Sequence, residues 1–82
     1  MMMTMTRTVN ERERWYRLEV VSNLFGEWLL IRSFGSMYKV TPLGIICQTF
    51  PDIESAETAY IQLTQKKSKR GYISLEQQKQ GN

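Results

Sequence analysis

The chain has 82 residues, 41% of them hydrophobic, a formal net charge of +3 and a pI near 9.2. That length holds one domain with a small core, and the composition is that of a globular chain rather than a disordered one. There is no histidine, so the commonest metal ligand and the commonest general base are both missing.

The only cysteine, Cys47, excludes an internal disulfide and suits a reducing cytoplasm. With carboxylates as the only other ligands, no zinc set can be assembled, and neither a metal nor a cofactor is expected. Nor does the sequence offer a nucleophile with a base beside it or a pair of carboxylates, so no enzyme is expected. No apolar run approaches the ~18 residues of a membrane span. Met1 to Asn10 shows no export signal. The mild basic excess permits nucleic-acid binding without demanding it.

Residues 1–10 lack helical or strand periodicity and read as a flexible arm. Glu11-Arg12-Glu13-Arg14 alternates in charge and reads as a solvated lead-in. A first strand follows over Trp15 to Ser22, where Tyr16, Leu18 and Val20 share a face opposite Arg17 and Glu19. Asn23-Leu24-Phe25-Gly26 supplies a turn, and Glu27 to Phe34 makes the second strand of an antiparallel hairpin. On that strand Trp28, Leu30, Arg32 and Phe34 line one face, with Leu29, Ile31 and Ser33 on the other. Both faces are largely apolar, which predicts a central strand covered on part of each side.

Ser36 to Leu43 reads as a loop containing Pro42, with Gly44 closing the turn, and Ile45 to Phe50 as a third strand with Cys47 as a small core residue. Asp52 fits the N-cap of a helix with Glu54 and Glu57 near its start. Ile53, Ala56, Tyr60, Leu63 and Lys67, with Ala59 alongside, form the stripe that faces the sheet. Lys66, Lys67, Lys69 and Arg70 crowd the helix end before Gly71. Tyr72 to Leu75 alternates briefly as a fourth strand, and residues 76–82 read as a flexible tail. The fold class is α+β: a twisted antiparallel sheet of three to four strands in the order β-β-β-α-β with one helix on one face, the domain occupying residues 11–75.

Four blocks stand out together: W-Y-R-L-E (Trp15 to Glu19), L-I-R-S-F-G-S (Leu30 to Ser36), G-I-I-C-Q-T-F-P-D-I-E-S-A-E-T-A-Y (Gly44 to Tyr60) and K-S-K-R-G-Y (Lys67 to Tyr72). In this order they resemble the WGR domain, a module found in poly(ADP-ribose) polymerases and in bacterial proteins. The first two are similar to its first two strands, the third to its third strand and helix start, and the last to its helix ending. The resemblance implies a twisted antiparallel sheet with one helix, nucleic-acid binding and no catalysis. At the family's signature triplet this chain reads Phe34-Gly35-Ser36, and Tyr38 stands where a glycine is usual. Phenylalanine keeps a stacking face but has no indole N–H, and Ser36 cannot make arginine's bidentate phosphate contact.

Three groups are candidate nucleic-acid contacts. Arg32 and Phe34, on one strand face, could combine a phosphate contact with base stacking, or Phe34 could belong to the core. Tyr38 and Lys39 sit in the loop after Gly35, with Lys39 placed to replace the missing arginine's charge. Lys66, Lys67, Lys69 and Arg70 form the basic cluster, which would also complement the helix dipole with nothing bound. Trp15, Trp28, Tyr60 and Tyr72 read as structural. The expected partner is DNA or RNA. The alternative is a protein-interaction or regulatory module without the DNA-contact triplet. No membrane partner is expected, and the oligomeric state is a monomer or a weak dimer through an exposed sheet edge.

Overall fold

The computed structural model describes residues 1–75. Five strands and one helix follow one another as β1 (Met2–Val9), β2 (Arg12–Ser22), β3 (Trp28–Ser36), β4 (Gly44–Phe50), α1 (Ile53–Lys69) and β5 (Ile73–Ser74). The strands form one antiparallel sheet in the order β4-β3-β2-β1-β5. The architecture is α+β, an open antiparallel sheet with one helix packed against it.

The N-terminal segment differs from its reading as an arm. Met2–Val9 is a strand, paired with β2 from Met2 opposite Glu19 to Val9 opposite Arg12. Its side chains alternate: Met5 is 2% exposed on the helix side, while Thr4, Thr6 and Thr8 fall on the other face. The two strands are joined through Asn10 and Glu11, with φ of 52° and 67°. Positive φ at both positions matches the right-handed twist of a hairpin, but Asn-Glu lacks the glycine that marks such turns in a sequence.

Residues opposite one another in antiparallel strands project from the same face. On the helix side this produces cross-sheet rows: Ser74, Met5, Tyr16, Phe34 and Gly44 form one, and Met3, Leu18, Arg32 and Ile46 the next. Tyr16 and Leu18 from these rows, with the paired Val20 and Leu30 of the next, close with Ala56 and Tyr60 of α1 into the core, and Leu18 and Leu30 are fully buried. The helix begins as the sequence indicates. The Asp52 carboxylate accepts the Ser55 amide at 2.7 Å, satisfying one of the otherwise unpaired first-turn donors.

Two expectations about the opposite face fail. Among the described residues no helix or strand packs on it: the loop residues Met37, Val40 and Pro42 reach only its distal end, beside Thr4, Thr6, Trp15 and Arg17, and Leu29, Ile31 and Ser33 of β3 are half-buried. Cys47 points to that same face and is exposed, not core. Its apolar neighbours give no hint of this, because the single helix has only one face of the sheet to cover. Among the described residues no helix is long and apolar enough to cross a membrane.

Glu11 at φ 67° carries a Cβ that the left-handed region disfavours. Glu11→Gly is expected to raise stability by about 1 kcal/mol, read from the midpoint of urea unfolding.

Candidate functional site

The distal end of the helix side, beyond the core, carries a cleft of about 330 Å³. It is walled by Tyr16, Phe34 and Tyr72 together with Arg14, Arg32 and Lys67, and closed below by Gly35, Leu43 and Ile46. This volume lies at the lower end of small-ligand sites, roughly 300–1,000 Å³.

The aromatic part follows from register. Tyr16 and Phe34 are directly paired on neighbouring strands, and their rings stack at 5.9 Å with 9° between planes. Tyr72 meets Tyr16 edge-on at 6.1 Å. Tyr72 is held there by the end of α1: its amide and that of Arg70 both donate to the Lys67 carbonyl, at 3.1 and 3.0 Å.

Two glycines permit the arrangement. Phe34 leans across Gly44, where a Cβ would stand 2.5 Å from its Cζ. The Trp15 indole lies against Gly35, where a Cβ would stand 3.0 Å from Nε1. The glycine of Phe34-Gly35-Ser36 therefore seats Trp15, which explains in packing terms why a side chain is absent at that position.

The cationic part is unbalanced. The Lys67 ammonium sits 4.3 Å from the Tyr16 ring centroid and 5.7 Å from that of Tyr72. Burial depresses its pKa, and the charges that depress it further are all positive: Arg70, Arg32 and Lys66. Arg32 projects from the row between Leu18 and Ile46, and its buried Nε has no hydrogen-bond partner among the described residues. Arg14 is directly opposite Arg7, whose guanidinium lies 6.0 Å from the Tyr72 ring. Like charges directly opposed on neighbouring strands are unfavourable on their own. The cleft thus gathers cations around aromatic surfaces, with no carboxylate among its walls in the described residues.

The structure separates the residues singled out from the sequence. Arg32, Phe34 and Lys67 meet at this cleft. Phe34 is half-buried, packing against the core while lining the cleft. Lys66 lines a neighbouring cavity that shares Arg32. Lys69 lies beside Thr64, Gln65 and Ser68, away from the cleft, while Arg70 is near enough to act on the Lys67 charge. Tyr38 and Lys39 are exposed in the loop and do not line the cleft. Arg14 and Arg7 were missed because Arg7 fell in the presumed arm and Arg14 in a charge-alternating lead-in. A β1–β2 hairpin, once recognised, brings them opposite each other.

The WGR domain family matches residues 1–80, nearly the whole chain. The chain belongs to that family, whose modules are known to bind nucleic acids and are themselves non-catalytic. No curated protein and no solved structure shows a significant match.

Gly44→Ala is expected to push the Phe34 ring off Tyr16 and to cost about 1–3 kcal/mol, the range for overpacking. Urea unfolding gives the cost, and changed ring-current shifts of Tyr16 protons report the lost stack.

Proposed function

We propose that this chain is a non-enzymatic nucleic-acid-binding module that uses the Arg14–Arg32–Lys67 cleft. The observation that carries the reading is the convergence of cations, with no carboxylate beside them among the described residues, on the Tyr16, Phe34 and Tyr72 rings. Phosphate oxygens would supply the acceptor that the buried Arg32 Nε lacks, and Phe34 offers the ring against which a base stacks. Lys66 and Arg70 extend the positive field to flanking phosphates. Arg14 and Arg32 take over the charge that Ser36 cannot provide. Lys39, in the loop outside the cleft, contributes at most to long-range attraction, as does Lys69; Tyr38, uncharged and outside the cleft, has no part in it.

Fluorescence anisotropy with blunt, nicked and single-stranded oligonucleotides tests this reading. Salt-sensitive binding is expected, with a log–log slope of about −2 to −3 if three phosphates are neutralised at roughly −0.9 each on duplex DNA. Arg32→Gln and Lys67→Gln should each weaken binding ~10–100-fold, the equivalent of ~1.5–3 kcal/mol for a charged hydrogen bond. Lys69→Gln should change it little. Absence of salt-sensitive binding below about millimolar overturns the proposal.

The lowered Lys67 pKa gives a pH signature. A bound phosphate favours the protonated amine and raises that pKa again, so binding takes up protons on the alkaline side. Affinity should be full below the lowered pKa of the free protein and fall as pH rises through it. Lys67→Arg should abolish the fall, because guanidinium does not titrate in this range.

A second reading, docking to a protein, draws on the β2–β3 turn. There Leu24 is 100% and Phe25 86% exposed. The Asn23 side-chain carbonyl accepts the amides of Phe25 and Glu27 at 2.9 and 3.0 Å, which holds this apolar tip in a defined shape.

A further inference from the structure

Strand β4 is an outer strand of the sheet and pairs with β3 along one side. Among the described residues nothing pairs with its other side. The opposite edge is closed by the two-residue β5, whereas β4 runs the full seven residues Gly44–Phe50. Proteins usually blunt an exposed edge by making it short, by adding lysine or proline, or by a bulge. β4 has none of these: its sequence, G-I-I-C-Q-T-F, carries no charge and no proline, and its register with β3 is unbroken from Gly44 to Phe50.

We propose that β4 pairs antiparallel with β4 of a second copy, about a two-fold axis at Cys47, to give a continuous ten-stranded sheet. Charge does not bar a second copy: each chain carries only +3, and the repulsion between two copies is screened by salt. β4 places no charged side chain at the seam, so the copies meet there without like charges opposed.

The strand is also self-complementary about its midpoint. With Cys47 opposite its counterpart, Ile46 faces Gln48 of the second copy, Ile45 faces Thr49, and Gly44 faces Phe50. Alternate pairs lie on the open face, where exposed Ile45 and Cys47 continue the half-buried Leu29 and Ile31 across the seam. The two-fold axis is perpendicular to the sheet, which puts both helices on one side and both clefts facing the same way. The two Gly44 positions, each at a cleft, are separated by six residues of strand, about 20 Å at ~3.4 Å per residue. The dimer depends on β4 alone and stands or falls independently of nucleic-acid binding.

Sedimentation equilibrium of the purified chain under reducing conditions tests the association, and the mass is expected to rise to that of two chains with concentration. Cys47→Ser should leave the dimer intact. Cys47→Lys, at an exposed position that keeps the fold by circular dichroism, sets two ammonium groups face to face and should weaken association at least tenfold.

Diamide tests the register. Two Cys47 thiols release two protons and two electrons to the reagent, which is reduced to its hydrazine, and one S–S bond forms. Directly opposed antiparallel positions lie within the ~4.4–6.8 Å Cα separation that a disulfide spans. In a Cys47→Ser background, Ile45→Cys combined with Thr49→Cys should cross-link between copies, and neither alone should. A mass of one chain at every concentration overturns the proposal and leaves the edge to a strand of another protein. A dimer indifferent to Cys47→Lys, or one that fails to cross-link in this register, overturns it equally.

Discussion

The Tyr16 ring is where the sheet, the helix and the C-terminal strand meet. It stacks on Phe34, receives the edge of Tyr72 and lies beneath the Lys67 ammonium, while its strand neighbour Leu18 is fully buried. Tyr16 is itself only 4% exposed. One residue therefore ends the hydrophobic core and begins the cationic cleft. Moving it would disturb packing and charge together, because the cleft has no scaffold of its own.

The same economy explains the two close approaches at glycine. Gly35 and Gly44 flank Phe34, one in the same strand and one directly across from it. Each is occupied by a ring: the Trp15 indole over Gly35 and the Phe34 ring over Gly44. Aromatic groups laid over glycine turn an otherwise weak stretch of sheet into a packed one. They also fix where Phe34 presents its remaining surface. The Phe34-Gly35-Ser36 triplet is thus a packing device in its own right.

Most of the architecture could be read from local pattern. Tyr16, Leu18 and Val20 alternate with charged residues. Asp52 stands at a helix start, and Ala56 and Tyr60 recur at helical spacing. β1 was illegible for opposite reasons: Met3 and Met5 alternate with threonines, but methionine signals strand weakly, and the Asn10-Glu11 turn lacks glycine. The exposure of Cys47 was equally hidden, since an apolar strand does not say which of its faces the lone helix will cover. At the cleft, Arg32 and Phe34 were visible as neighbours on one strand face. The division of the basic cluster, with Lys67 over Tyr16 and Lys69 turned elsewhere, depends on how α1 is rotated against the sheet. Arg14 and Arg7 depended on the unread strand.

The Arg7–Arg14 opposition joins the N-terminal strand to the cleft. β1 sits between β2 and the short β5, so repulsion at this pair acts on a strand near the weaker margin of the sheet. An anion shared by the two guanidiniums would convert that repulsion into a bridge. Occupancy of the cleft and local opening of the β1–β2 hairpin are then linked equilibria, and amide exchange along β1 becomes a remote gauge of what the cleft holds.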